Sequence, residues 1–597
     1  MNTDANRQVD EPNGDELTVP VPPRLWWLKR ILVACAISLA ALAAIRLWWG
    51  HVAHNRLQAE IERVRAAGEP IFPEDFDPPP VPDDENAALV ISKAIKALVA
   101  PAEAANDIST LASLSQFTAD ELADAALIVS ANADALRFAR QARDLPQADM
   151  GLRIRTPAIN WILPPLSGYR ELARLLAVTA RYRHQTGDDA GAVSAIRDLL
   201  ALGNALDRQP TLISHLVAIS VNALAVELVE SIAPDLEAPG PHDDLGTDAE
   251  PARRIYVEDL VADLLDEQVM HRGLIRALQC ERMFALDNVQ LCADGKASVA
   301  GFAMFGGPSP LPFWDGPLGL LFRPLLELDG VELMRYGTAW VEAGRQPTWP
   351  ALFAKRPPDP LANAGTLERL RRPLSAVLPP SLDRATQLHY RALANRRMAA
   401  VALAVRLYEI DRGSRPRRLA DLALEYLDEV PHDPFGVRER PVGYRPDDDP
   451  PILYSIGPNG TDDGGAYSLR PTGGVRRDEL DQPFFLNGER PGIRSDASSA
   501  PPPSERYAEE EYQEEKNEGN ADEDQAPERQ PKERQDHAQD HEPPPTLRHD
   551  PDTDVDQVRD PGGQLPERQE PGHQEESQAG GFMDVDDRQA GKEDHED

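Results

Sequence analysis

The chain has 597 residues, with 62 Lys and Arg against 100 Asp and Glu, a formal net charge of −38, 3 Cys and 56 Pro. A chain this acidic lacks the clustered Lys and Arg through which proteins bind nucleic acid by counterion release. Three cysteines exclude a disulfide-rich scaffold and a four-cysteine zinc site. The charge is uneven, because residues 491–597 alone carry about −21 of it.

An apolar run over residues 31–45 predicts a membrane-spanning helix. Trp26-Trp27 and Trp48-Trp49 flank it 22 positions apart, which is about 33 Å along a helix and matches the two interfacial aromatic belts of a bilayer. This spacing argues against a buried core helix. A cleaved signal peptide is the alternative, since Ala41-Leu42-Ala43 resembles a cleavage site. We favour an uncleaved signal anchor, because the polar leader before the run is long for a signal peptide.

The orientation rests on the basic residues beside the apolar run. Their numbers on the two sides are nearly balanced, but the cluster nearest the run, Lys29-Arg30, lies on its N-terminal side. By the positive-inside rule we expect the N-terminus in the cytoplasm and about 550 residues outside it, with the chain held in the cell inner membrane.

A stalk and a connector are predicted to follow the membrane helix. Residues 55–67 have the spacing of a charged helix, and the prolines between Pro73 and Pro82 force an extended segment. The sequence Asp83-Asp84-Glu85-Asn86 predicts the start of an Ala-rich helix over 87–99.

Helical periodicity dominates the middle of the chain. Thr118 and Glu121 form a capping-box pattern that predicts a helix over 118–138. Residues 166–185 and 190–206 predict a helical hairpin that resembles one tetratricopeptide-type unit, although no second copy follows at a fixed period. Further helices are predicted over residues 211–232, 255–284, 321–340 and 382–410.

Two apolar segments in this middle part need an explanation. Residues 212–229 include several polar side chains, which favours burial in a core over a second membrane span. Residues 300–322 are rich in Gly, Pro and Phe without periodicity, and predict either an ordered apolar loop or a surface that touches the bilayer or a partner. Strand patterns are scarce before residue 430.

A small α+β module is predicted near the C-terminal end. The preceding helix stops at Asp411-Arg412-Gly413, with a short helix predicted over 419–427, a strand over 452–456 and a tight acidic turn over 457–465.

The stretches LYEIDRGSRPRRLADLALEYLDEVPHDPFG and ILYSIGPNGTDDGG resemble the C-terminal globular part of major type II secretion pseudopilins. They resemble still more the C-terminal block of uncharacterised single-span proteins common in Planctomycetes. The connector AAGEPIFPEDFDPPPVPDDENAA is similar to the start of that second group. The chain departs from pseudopilins in having no prepilin-peptidase signature and a large helical insert, so it is not expected to polymerise as a pilin.

The pseudopilin resemblance implies a calcium site in the loop after the strand, with Asn459, Asp462 and Asp463 as ligands. Ca²⁺ prefers six to eight oxygen ligands, and a Gly-rich loop lets carbonyl groups complete such a shell. An EF-hand is excluded, because Arg470 occupies the position that requires a bidentate Glu. The alternative is a hairpin turn in which Asn and Asp accept backbone hydrogen bonds.

No motif for catalysis emerges from the remaining sequence, and we expect no enzyme activity. His432-Asp433 is interpreted as part of a turn, and Glu281-Arg282 as an exposed or interhelical charge pair. Cys280 and Cys292 could pair in an oxidising compartment. The histidines on predicted helices are interpreted as packed or exposed residues: His184, His215 and His271.

The sequence thus predicts a mainly α protein with a single transmembrane helix, an extracytoplasmic helical domain, a small α+β C-terminal module and a disordered acidic tail. The predicted segments are 1–24 (cytoplasmic), 25–49 (transmembrane), 50–85 (stalk and connector), 86–397 (helical domain), 398–487 (module) and 488–597 (tail). The predicted function is a structural or protein-interaction role in the envelope, with the bilayer and an unknown envelope protein as partners and no nucleic acid. The alternative is a component or relative of a pseudopilus-type secretion apparatus whose C-terminal module is stabilised by Ca²⁺.

Overall fold

A computed structural model describes most of the chain and shows that this part is mainly helical, with few strands. The described residues are 26–158, 166–238, 253–299, 317–362, 364–376, 382–469, 475–476 and 480–490. The predicted tail from residue 491 onward and residues 300–316 of the apolar segment lie outside them.

The first helix, α1 (Trp26–Ala66), is continuous through the predicted membrane span and the predicted stalk. It ends where Gly68 takes a positive φ of 73°, a conformation that glycine adopts without steric cost. The connector is less extended than the prolines suggested, because Pro73–Phe76 forms one 3₁₀ turn.

Four short helices follow the connector: α2 (Ala87–Lys96), α3 (Ile108–Ala112), α4 (Ala119–Ala131) and α5 (Ala133–Arg143). The predicted capping box is present, with Thr118 and Glu121 each bonded to the other's backbone. The single helix predicted over 118–138 is wrong, because the chain breaks at Asn132. The buried side chain of Asn132 binds both backbone groups of Val99 at 2.8 Å, and this competes with regular helical geometry.

The helical hairpin is present as α6 (Leu166–Gln185) and α7 (Asp189–Asp207), followed by α8 (Leu212–Ile232). Thr211 caps α8, as its side chain accepts a hydrogen bond from Ser214 N. The most apolar window of α8 is 61% buried inside the protein, so this helix belongs to the core.

Six helices complete the described helical part: α9 (Arg254–Leu265), α10 (Gln268–Ala293), α11 (Pro317–Gly344), α12 (Trp349–Lys355), α13 (Thr366–Arg371) and α14 (Leu382–Arg412). The single helix predicted over 255–284 is wrong, because α9 and α10 are separate. The fully buried Arg396 donates to the backbone carbonyls of Asp263, Leu264 and Asp266, so a side chain satisfies the carbonyl groups at the end of α9.

The C-terminal residues form small antiparallel sheets. The strands β1 (Gly443–Arg445), β2 (Ile452–Ser455) and β5 (Gln482–Phe485) pair in the order β1-β2-β5, with Leu453 opposite Phe484. A two-stranded sheet pairs β3 (Ser468–Leu469) with β4 (Val475–Arg476). The short helix predicted over 419–427 is wrong, because Leu419–Leu422 forms only a 3₁₀ turn and Leu424 has a φ of 69°.

The sheet β1-β2-β5 packs against the helices. Leu453 and Phe484 belong to the same hydrophobic cluster as residues of α6, α7, α8 and the C-terminal half of α14. The buried Glu230 of α8 accepts hydrogen bonds from Phe485 N at 2.8 Å and from Arg490 Nε at 2.6 Å. These contacts hold the last described residues against α8.

Candidate functional site

The first half of α1 exposes apolar side chains all around the helix. Its most apolar window has a mean hydropathy of 2.2 and is 0% buried inside the protein. Leu32, Ile37 and Leu42 are each at least 60% exposed although they project in different directions. A helix that is apolar on every side requires an apolar environment on every side, so this half of α1 has the properties of a membrane anchor or of a signal sequence.

The second half of α1 packs into the protein. Leu57, Ile61 and Val64 are at most 5% exposed and form one cluster with residues of α10 and α11. The spacing of four and three residues places these side chains on one face of the helix. The predicted free stalk is therefore docked against the body of the protein.

Polar contacts accompany this apolar contact between α1 and α11. His54 Nδ1 lies 3.3 Å from Glu327 Oε1, and the buried Glu60 accepts a hydrogen bond from Arg335 Nε at 2.8 Å. Glu60 also pairs with Arg63 of its own helix. Because a buried carboxylate is costly unless it is paired, Glu60 specifies how α1 sits on α11.

A buried arginine fixes the chain where α1 ends. Arg282 of α10, whose side chain is 0% exposed, forms an ion pair in which its Nη2 lies 2.7 Å from Glu69 Oε2, and the same Nη2 donates to the Pro70 carbonyl at 3.1 Å. Glu69 also pairs with Arg345 from the C-terminal end of α11. Burial acts to raise the pKa of Glu69, but the hydrogen bonds from Arg345 and Arg282 outweigh it, and this pKa lies below its usual value.

We call the contacts of Glu69 with Arg282 and Arg345 the clamp. The sequence pattern did not predict it. It paired Arg282 with its neighbour Glu281, whereas the partner of Arg282 lies about 210 residues away in the connector. Burial raises the pKa of Glu281 to about 7. A distant partner leaves no signal in local spacing, so only the fold could reveal the pair.

The three residues proposed as calcium ligands lie in one exposed turn. Asn459 Oδ1 accepts from Thr461 N at 3.0 Å, and its amide lies 3.5 Å from Asp463 Oδ2. Asp462 accepts from Gly464 N at 3.0 Å and pairs with Arg440 Nη2 at 2.6 Å. These side-chain contacts are those of the alternative interpretation, an Asx-type turn.

A third carboxylate, that of Asp481, also stabilises this turn. It is 0% exposed and accepts hydrogen bonds from Asp463 N at 3.3 Å and Gly465 N at 2.7 Å. Within the described ranges, no group of three or more His, Cys, Asp or Glu is arranged to hold a metal ion. The calcium site stays a prediction.

Asp433 holds a loop in place. It is 2% exposed and accepts from Ser455 Oγ at 2.7 Å, Ile456 N at 2.8 Å and Phe435 N at 3.0 Å. The neighbouring His432 offers its carbonyl to Arg397 at 2.7 Å. These contacts agree with the interpretation of His432-Asp433 as a turn, which Asp433 fastens to the end of β2.

A buried histidine cluster lies between α8, α10 and α14. The ring of His389, 0% exposed, lies 5.3 Å from that of His215 and 5.7 Å from that of His271, centroid to centroid. His215 Nδ1 is 2.6 Å from Asp207 Oδ1 at the end of α7. Gly273 permits this approach, since a side chain there would meet Asp207 at 2.9 Å.

Burial dominates the electrostatics of this cluster. It places the pKa of His389 well below the usual value, with His215 and His271 adding to the effect. It likewise raises the pKa of Asp207, against the opposing influence of His215. Among the described residues, neither ring nitrogen of His389 has a hydrogen-bond partner. His389 is thus neutral inside the core.

The sequence pattern had interpreted the helical histidines as separate residues. The structure brings His215 and His271 together around His389, which sequence reasoning missed, and it pairs His184 Nδ1 with Asp189 Oδ1 at 2.6 Å. The three cluster histidines come from different helices and share no motif, so their meeting could not be deduced from spacing.

The possible pairing of Cys280 with Cys292 is wrong. Both lie on α10, and 12 residues of helix separate them by about 18 Å. A disulfide needs Cα atoms within about 7 Å.

Two cavities in the described part of the protein are small. One lies between α8, α14 and β5 and the other between α2, α5, α6 and α7, each with a volume of about 10 Å³. A cavity of this size holds about one water molecule.

The comparisons with known proteins add no relative. None of the family models, curated proteins or solved structures compared with the chain matches it significantly. The resemblance to the planctomycete proteins and to pseudopilins therefore stays a prediction that rests on the quoted sequence stretches.

Proposed function

We propose that the chain is a single-span membrane-anchored protein of the cell envelope with a structural or protein-interaction role. One observation carries this proposal: α1 exposes apolar side chains on every side over its first half and buries a single face over its second half. A helix that only packed in a soluble core would bury part of its most apolar window.

The docked half of α1 supports a structural role. A free stalk lets a domain tumble, whereas Glu60 with Arg335 and Glu69 with Arg282 fix the body against the anchor. A body held at a fixed orientation to the bilayer suits a protein that positions a partner or a surface. The expected partner is an envelope protein, with the N-terminus in the cytoplasm and the body exported across the inner membrane.

Protease accessibility tests the topology. Intact cells, spheroplasts and detergent-lysed spheroplasts are treated with protease, and the chain is detected through a tag after residue 597. We expect the tag to be lost in spheroplasts. A tag that survives until detergent is added would reverse the orientation.

A further inference from the structure

The register between α1 and α11 is constant over the length of their contact. A side chain at Gly50 would lie 3.9 Å from Pro324, His54 contacts Glu327, and Glu60 contacts Arg335. Each residue of α1 is thus beside the residue about 274 positions later. The two helices therefore run parallel and advance together, away from the membrane.

The same register places the beginning of α11 at the membrane surface. Extended toward the N-termini of the two helices, this register places Leu321 beside Leu47 and Phe322 beside Trp48. Trp48 is the first residue of Trp48-Trp49, the aromatic pair at the outer end of the apolar run. The first residue of α11, Pro317, falls level with Ala43 inside the apolar run. At 1.5 Å per residue, α11 begins about 7 Å deeper than Trp48.

The side chains on this first part of α11 suit that depth. Leu321 is 52% exposed and Phe322 is 39% exposed, and both are large and apolar. Between Pro317 and Pro324 the sequence has one charged residue, Arg323, which is basic. Interfacial helices bury apolar side chains about 5–10 Å into the boundary between headgroups and acyl chains, and basic residues favour anionic headgroups.

We propose that the first turns of α11 form a second membrane contact, in which Leu321 inserts into the headgroup and acyl boundary of the bilayer beside α1. The body then rests on the membrane at two points, and α1 cannot swivel beneath it. This inference rests on the proposed membrane anchor, and its occupant is lipid.

Depth-dependent fluorescence quenching tests the contact in the full-length chain, reconstituted in vesicles of phosphatidylcholine and phosphatidylglycerol. Leu321→Cys is labelled in a Cys35→Ser background, because Cys280 and Cys292 are buried. Leu367→Cys is the matched control, since Leu367 is 62% exposed on α13. In a separate sample, a label on native Cys35, which is exposed within the apolar run, reports on the anchor itself.

We expect nitroxide lipids that quench near the headgroups to quench the label at position 321, with loss of quenching by aqueous iodide. The label at position 367 should show the reverse. An iodide-accessible label at position 321, together with a lipid-quenched Cys35, overturns the second contact and leaves the anchor standing. If Cys35 itself is iodide-accessible, the anchor fails.

A second copy of the chain is the other possible occupant. Protection of position 321 that does not change with the protein-to-lipid ratio supports lipid. Protection that rises with this ratio, without quenching by nitroxide lipids, assigns the surface to a second copy and overturns the proposal.

Discussion

The two halves of α1 have similar helical geometry and opposite surroundings. In the first half Ile37 is 65% exposed, and in the second half Ile61 is 1% exposed. The change falls between Gly50 and Ala53, where polar residues become frequent and one face becomes buried. The same residue type thus has two surroundings: the protein itself covers Ile61, and lipid covers Ile37 if α1 is the proposed anchor.

This difference shows where the exposed apolar half of α1 ends. In the second half the apolar residues repeat on one face and charged residues occupy the others, so only the protein can cover the buried face. The clamp at Glu69 then closes the docked half at its far end. If these contacts hold the docked half, removing them should lower the free energy of unfolding.

The largest effect is expected from Arg282→Ala. The substitution leaves a cavity where a side chain is 0% exposed and removes one partner of Glu69, which still pairs with Arg345. The lost packing and the lost polar contacts together cost about 3–5 kcal/mol. We expect the midpoint of chemical denaturation in detergent to fall accordingly. Arg282→Met keeps the volume of the side chain and separates lost packing from lost charge.

Lys296→Ala is the matched control for the clamp. Lys296 pairs with Asp294 at 2.8 Å, but both side chains are more than half exposed, so the change is expected to stay within about 0.5 kcal/mol. Equal losses for the two variants would contradict a stabilising role for the buried clamp.

The next largest effect is expected from Ile61→Ala, and Ile37→Ala provides the comparison in the other half of α1. Removing the buried Ile61 side chain leaves a cavity between α1 and α11, which costs about 3 kcal/mol. Ile37 has no protein packing to lose, and it faces lipid if α1 is the proposed anchor, so its truncation should change the free energy of unfolding by less than about 1 kcal/mol. Denaturation of both variants in the same detergent gives the answer, and a larger loss at position 37 would reverse the assignment of the two environments.

The loss of stability at low pH is expected to be intermediate in size. His389 is neutral when folded because its pKa is depressed, whereas an unfolded histidine titrates near 6.5. Below about pH 6.5 the unfolded chain binds a proton that the folded chain does not, so the free energy of unfolding falls by up to about 1.4 kcal/mol per pH unit. The depressed pKa of Glu69 acts in the same direction, since its stabilisation is lost as the pH falls.

Thermal unfolding at a series of pH values checks the acid effect. Four titratable or charged groups act on His389, namely His215, His271, Arg397 and Arg396. Asp207 interacts with His215, and Glu267 acts on His271. His389→Phe should flatten the dependence below pH 6.5 while membrane retention stays unchanged. If stability depends on pH in this variant as it does in the unsubstituted chain, His389 is not the cause of the acid effect.

The smallest effect is expected at the acidic turn. Asp462 is 40% exposed and pairs with Arg440, so Asp462→Asn should cost no more than about 1 kcal/mol. Millimolar Ca²⁺ is expected to leave the melting temperature unchanged, because the turn's side chains already bind backbone groups and Arg440. A rise in the melting temperature with Ca²⁺ that Asp462→Asn abolishes would favour the metal site instead.

Sequence reasoning succeeded where local pattern determines structure. The hairpin of α6 and α7, the capping box at Thr118 and the burial of α8 follow from periodicity, capping pattern and polar content. It failed where a distant side chain replaces a local hydrogen bond. Asn132 and Arg396 break predicted helices through partners more than 30 residues away.

The candidate site divides in the same way. The apolar half of α1 could be predicted because lipid leaves a compositional signature. The docking of its second half depends on α11, and the clamp depends on Arg282, which local spacing had assigned to Glu281. The histidine cluster joins three helices, and no pairwise spacing in the sequence encodes such a meeting.

The central claim is that α1 is retained as an anchor. Intact-mass spectrometry of the chain recovered from membranes after alkaline carbonate extraction tests it most directly. We expect a chain that stays in the membrane pellet and keeps the residues before Ala43. A chain that is released into the supernatant and begins after Ala43 would contradict it.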